Sequence, residues 1–224
     1  MKILSYRRIV LFGFCWLLSV SFFSAYAATS GRCYRDTTLV AVLLGAAKVK
    51  LEIPRHYIAY PRDLMKLQQP FIVLAAQTED GAAVCKPVLN DLSPEDIQLF
   101  LMPAAAPDIK TRLQRLLKEE YPLKVADNDE GFIVYRSPYS TVEDKKTYYY
   151  ELMVPNNREL GLDGYVICSG ESITGARLDR ERCTAHEVHG KLFLQYKFVA
   201  SALPELKKIQ QTALNLADKV LADH

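Results

Sequence analysis

From Gly131 to Val199 the chain repeats one pattern. GFIVYR (131–136), TYYYELMV (147–154), GYVICS (164–169) and KLFLQYKFV (191–199) are apolar and aromatic runs of strand length. Polar stretches separate them, and no apolar stripe at helical spacing intervenes. Upstream, KVKLEI (48–53) alternates, with Val49, Leu51 and Ile53 on one face and Pro54 stopping it. FIVLAAQ (71–77) lies between Pro70 and a turn-like EDG, and DIQLFLM (96–102) fits a further strand. TTLVAVLLGAA (37–47) has no clear period and suits a buried helix or a strand equally. Only two segments carry helical stripes. One opens at Pro107-Asp108 and runs to Tyr121, with Ile109, Leu113, Leu116 and Leu117 on its apolar side; its Lys110, Arg112, Arg115 and Lys118 read as a solvated face offset by Glu119 and Glu120. The other starts at Ser201 as N-cap, with Pro204 in the first turn and a stripe of Leu206, Ile209, Ala213, Leu216, Ala217 and Val220. Strands in runs, with few helices between them, argue against a parallel doubly wound sheet. They predict an α+β fold, with antiparallel sheet or sheets and amphipathic helices on one face. Two similar halves, 28–121 and 131–224, would meet at the polar stretch PLKVADNDE (122–130); one domain is the alternative.

The N-terminus reads as an export signal. Lys2, Arg7 and Arg8 form a basic lead, Ile9 to Phe23 carries no charge, and Ala25-Tyr26-Ala27 is a small-x-small cleavage site. Cleavage after Ala27 makes residues 1–27 a signal peptide and the mature chain periplasmic, with no stable membrane insertion; an uncleaved anchor is the competing reading. Cys15 lies inside the apolar run with no small residue directly before it, which argues against lipid attachment there. Loss of the signal removes three of the 28 Lys and Arg residues, leaving 25 against 26 Asp and Glu. The net charge falls from +2 to −1, and a nucleic-acid partner, which needs a basic face, is not indicated.

Four cysteines then remain: Cys33, Cys85, Cys168 and Cys183. An even number in an exported chain reads as disulfides, and three pairings are possible. Cys33–Cys85 with Cys168–Cys183 keeps each bridge within one region. Gly170, Ser172, Thr174 and Gly175 are turn residues. A hairpin about 173–176 would therefore set Cys168 opposite Cys183. No two cysteines have the two-to-four-residue spacing of a zinc site.

No catalytic constellation emerges, and no cofactor is implied. Ser169 and Ser172 lack the Gly-x-Ser-x-Gly elbow of a strained nucleophile turn. His186 and His189 in HEVH are three apart, which on a strand puts them on opposite faces, so no metal site is expected. His56, in IPRHYIAYPRD, reads as a loop histidine beside two tyrosines. A hydrolase using Ser172 with His186 or His189 is retained as an alternative, and so is an envelope-assembly or structural module. The leading expectation is a non-enzymatic binding protein. Its contact residues would be Tyr139, Glu143 and Asp144 in the polar loop 139–146, and Tyr148 and Tyr150 on the following strand. Tyrosine gives large contact area at low entropy cost. Tyrosines packed against a half-buried sheet are the plainer explanation of the same residues.

Two stretches together carry a family likeness: LEIPRHYI, and CTAHEVHGKLFLQYKFVASALPELKKIQQTALNLADKVL. The chain resembles exported proteins encoded beside secreted antibacterial effectors, in particular the periplasmic immunity proteins of type VI secretion phospholipase or lipase effectors. The likeness covers about a quarter of the chain. It implies two α+β parts, and a protein that caps a toxin's active site, or blocks its opening, by steric occlusion and performs no chemistry.

Overall fold

The computed structural model describes residues 36–59, 68–84, 92–104, 108–143, 146–156, 162–172 and 178–221. The expected signal segment, Cys33, Cys85 and Asp144 lie outside them. Eleven strands and two helices are described: β1 (Leu39–Leu44), β2 (Val49–Pro54), β3 (Gln68–Gln69), β4 (Ile72–Gln77), β5 (Asp96–Pro103), α1 (Ile109–Arg115), β6 (Leu123–Asp129), β7 (Phe132–Glu143), β8 (Lys146–Pro155), β9 (Tyr165–Ser172), β10 (Leu178–His189), β11 (Leu192–Val199) and α2 (Leu206–Val220). Eight of the strands form one sheet in the order β4-β5-β11-β10-β9-β8-β7-β6. Every pairing in it is antiparallel. β2-β1-β3 make a small second sheet, antiparallel except for the short β1–β3 pair.

The α+β expectation of antiparallel sheets holds. Within it, the apolar stretch 37–47 resolves to a strand and a turn, β1 facing β2 across Gly45 to Lys48. The expected linker 122–130 is mostly β6, at the edge of the large sheet. Glu130 and Gly131 join it to β7 with positive φ at both positions (53° and 86°), the geometry of a tight two-residue hairpin turn. The expected loop 139–146 is mostly strand too. β7 runs on to Glu143 and β8 begins at Lys146, with a register shift between Arg136 and Ser140. Pro138 sits inside that shift, where a residue with no N–H to give to the ladder belongs. β5 and β11 are neighbours, so the sheet runs through both expected parts, 28–121 and 131–224.

The core follows from alternation. Ile97, Leu99 and Leu101 on β5, Cys183 and Ala185 on β10, and Leu194, Tyr196 and Phe198 on β11 point to one face. α2 covers that face with the stripe read from the sequence: Leu206, Ile209, Ala213, Leu216, Ala217 and Val220 are all buried. α2 starts later than expected. Ala200–Glu205 form a 3₁₀ turn holding Pro204, and Glu205, not Ser201, precedes the first α-helical residue. The first helix lies on the opposite face, so the two helices flank the sheet instead of sharing one side. Asp108 caps α1, its Oδ1 accepting from the N–H of Thr111 at 2.8 Å. A wider π turn, Leu116–Glu120, continues it before Pro122. Leu116, Ile109, Leu113 and Leu117 then pack on Leu152, Tyr165 and Ile167.

Candidate binding face

The strands that carry Cys168 and Cys183 are a stapled pair. β9 and β10 pair with Cys168 directly across from Cys183, Cα–Cα 4.1 Å, and a disulfide joins them. The expected turn about 173–176 lies outside the described residues. Gly164, just before β9, has His186 O so near that an added Cβ would sit 1.7 Å from it. Only glycine admits that approach.

The two histidines of HEVH part as strand geometry requires. His189 faces α2, its Nε2 2.5 Å from Asp218 Oδ1. His186 faces α1, buried and stacked on Tyr165 with ring centroids 4.7 Å apart. Burial first, then the positive charges of Arg112 and Lys197, push the His186 pKa down to about 3. Arg112 does not belong to a solvated helix face, as the sequence reading had it. Its guanidinium lies 4.7 Å over the Phe193 ring. The hydrolase alternative loses its dyad. Ser172 is level with Leu178 in the β9–β10 ladder and Tyr165 is level with His186. The serine and histidine are thus seven positions apart along the strands, roughly 23 Å at about 3.3 Å per residue, and His189 is farther still. Among the described residues no group of three or more His, Cys, Asp or Glu side chains is arranged to hold a metal. His56 lies in a short turn, its ring 4.5 Å from that of Tyr57.

On the α2 side, past the apolar core, two arginines meet two acids. Glu151 accepts from Arg136 Nη2 at 2.7 Å and from Arg180 Nε at 3.0 Å, while Arg180 Nη2 donates to Asp129. The Glu151 and Arg180 side chains are 3% and 8% exposed, so these charges are neutralised where they are buried.

The other face is different. α1 covers it around Tyr165, His186 and Phe193. Beside that cover is a groove of about 300 Å³ lined by Tyr150, Ile167, Ser169, Arg182, Thr184 and Lys197. The register builds it. Tyr150 is level with Ser169 and Arg182, and Ile167 with Thr184 and Lys197. The Lys197 ammonium lies 4.8 Å from the centroid of Phe100, whose ring is 6.2 Å from that of the exposed Phe71. Burial, and secondly Arg182, lower the Lys197 pKa below the ordinary ammonium value.

Of the expected contact residues, Tyr148 and Tyr150 share the face of β8 that bears the groove, both half-buried, and Tyr150 packs against the cluster under α1. Tyr139, just past the Pro138 shift, is 71% exposed. Glu143 ends β7 opposite Lys146. Lys197, Arg182, Ser169 and Thr184 escaped the sequence reading as binding residues. One signal was present: in KLFLQYKFV, Gln195 and Lys197 interrupt an otherwise apolar run at alternate positions and mark a polar side. A second groove of about 300 Å³ lies between α2 and the turn at Glu79–Gly81, where Lys219 Nζ donates to the Tyr57 hydroxyl at 3.0 Å.

Fold and face together define an α+β protein on antiparallel sheets, with an aromatic and cationic groove on the sheet itself. No protein-family model matches the chain, and no curated protein matches it. Among solved structures it is similar to Smlt3025, an immunity protein of the Stenotrophomonas maltophilia type IV secretion system. The identity is 15% and the TM-score 0.49, over 84% of this chain and 94% of that one. It is also similar to the Neisseria meningitidis iron-regulated outer membrane lipoprotein FrpD, with 13% identity and a TM-score of 0.42 over 84% and 95% of the two chains.

Proposed function

We propose that the chain is an exported binding protein that neutralises a secreted antibacterial effector by occluding it, as an immunity protein does. The observation that carries this reading is the sheet face left partly uncovered among the described residues, where Tyr148, Tyr150 and Phe100 stand beside Arg182 and Lys197 on an antiparallel platform. Aromatic and arginine side chains are what dominate protein interfaces. The disulfide across β9 and β10 suits an oxidising compartment such as the periplasm. No helix among the described residues is long and apolar enough to cross a membrane. Contact would spread from this face over Tyr139 and the hairpin end at Glu143 and Asp144. A lipase is the effector chemistry that the family likeness of the sequence implies.

The test is capture. Residues 28–224, with disulfides formed, are immobilised and exposed to the secreted proteins of the same organism, and whatever remains at high salt is identified. Stoichiometric retention of one secreted enzyme, whose activity the chain then inhibits, is the expected result. Retention of envelope proteins alone would replace the reading with an assembly module. Reversal of charge at Glu143 and Asp144 together is expected to weaken the complex and leave thermal stability unchanged; unaltered affinity would take the hairpin end out of the interface.

A further inference from the structure

We propose that Glu187, buried beneath α2, is a proton-dependent fastening: its neutral carboxyl holds the helix to the sheet, and its ionisation loosens the helix. The device lies on the face away from the groove and does not depend on the binding reading above.

Glu187 sits on β10 between Ala185 and His189, on the side that α2 covers, and is 3% exposed. Each element packed around it presents a different group. From α2, Gln210 Nε2 donates to Glu187 Oε2 at 2.9 Å, and Gln210 is the polar member of the helix's buried set. From β11 comes the hydroxyl of the buried Tyr196. From β10 itself comes His189, whose ring is already engaged with Asp218 of α2. From the stretch before β9 comes Asp163, a second acid. Among the described residues no lysine or arginine faces the carboxyl. Glu151, buried on the same side of the sheet, is the contrast, since two guanidinium groups meet it there.

A carboxylate taken out of water and met by neutral donors is unfavourable, whereas the neutral acid needs no counter-ion and brings an O–H donor of its own. Burial above all holds the Glu187 carboxyl above the ordinary glutamate value, against the opposing pull of Gln210, Tyr196 and His189. Opening of α2 lets water reach the group, which then ionises at its ordinary value of 4.5. The stabilisation is therefore complete below that pH and is lost as pH rises through the folded value. Over that window each pH unit favours the open helix by about tenfold.

The test reads the carboxyl and the helix separately. The Glu187 carboxyl carbon is followed by NMR in the folded chain from pH 4 to pH 8. Over the same range, exchange protection of the α2 amides at Ala213, Leu216 and Ala217 is measured and corrected for the intrinsic pH dependence of exchange. The carbon is expected to titrate above 4.5, and α2 protection to fall by about tenfold per pH unit up to that midpoint. Glu187→Gln keeps the shape and the neutral state, so its α2 protection should stay level and exceed that of the parent at neutral pH. His189→Gln should retain the parent's dependence. A Glu187 carbon that titrates at the ordinary value overturns the proposal, and so does α2 protection that follows pH alike in the parent and in Glu187→Gln. Loss of the dependence in His189→Gln would overturn it too, and would move the fastening to the His189–Asp218 pair.

Discussion

At the scale of single residues, the structure makes three positions answerable to experiment. Gly164 has no room for a side chain, since a Cβ would meet backbone, not a flexible side-chain end. Gly164→Ala is therefore expected to cost about 2 kcal/mol or more of unfolding free energy, measured by urea denaturation; a neutral result would mean that β10 moves aside easily at His186. Glu151 is the shared acceptor of two arginines, one of them buried. Glu151→Ala removes the acceptor that both share, leaving buried Arg180 to Asp129 and Glu130, and is expected to cost about 3 kcal/mol. His186 supplies a pH test. Its folded pKa of about 3 lies below the ordinary histidine value of 6.5. The unfolded chain therefore takes up a proton, as pH falls below about 6.5, that the folded chain refuses. The contribution of this residue is complete above that pH and is lost progressively toward pH 3. Urea midpoints measured from neutral pH downward should fall less steeply in His186→Gln than in the parent chain. Parallel slopes would show that His186 titrates alike in both states.

At the scale of elements, alternation decided what could be read beforehand. β2, β4, β5, β8, β9 and β11 are visible in the sequence because each carries apolar residues at period two or a short apolar run bounded by turn residues. The α2 stripe is equally plain, because three-and-four spacing over fifteen residues has no strand equivalent. β1 stays ambiguous: LVAVLL is apolar throughout, and only pairing with β2 settles it. β6 and the far end of β7 look like linker and loop, because edge and hairpin-end strands keep polar residues that a buried strand would not. β10 is highly charged in its first half, so its twelve-residue length is hidden until its ladder with β9 and β11 is seen. The cysteine pair at its centre was legible, since turn residues between two cysteines force a hairpin. That bridge encloses a separation of 15 residues. Its removal, as Cys168→Ala with Cys183→Ala, is expected to lower stability by about 3 kcal/mol, read from denaturant midpoints; an unchanged midpoint would mean that the ladder alone fixes β9 on β10.

At the scale of the whole molecule, the candidate site is a property of register. Lys197 lies on β11, Arg182 and Thr184 on β10, Ser169 on β9 and Tyr150 on β8. No short motif brings them together; four strands in one alignment do. A sequence read one segment at a time finds the tyrosines of TYYYEL and misses the cations beside them. The same register dissolves the apparent active site, because it carries Ser172 and His186 to opposite ends of the β9–β10 ladder. A one-sided view of the helices fails for the same reason: which face each stripe covers depends on the sheet, not on the helix. α2 takes the continuous apolar face, while α1 covers the end of the other around Tyr165, His186 and Phe193, and among the described residues the groove lies open beside it. The central claim is that this remaining face is where a secreted protein is held. Hydrogen exchange on the complex with the captured protein tests it most directly. The account predicts slowed exchange at residues 148–150, 169–171 and 182–184, with the α2 surface unaffected. Protection confined to α2 or to the β6 edge, with the groove exchanging as in the free chain, would contradict it.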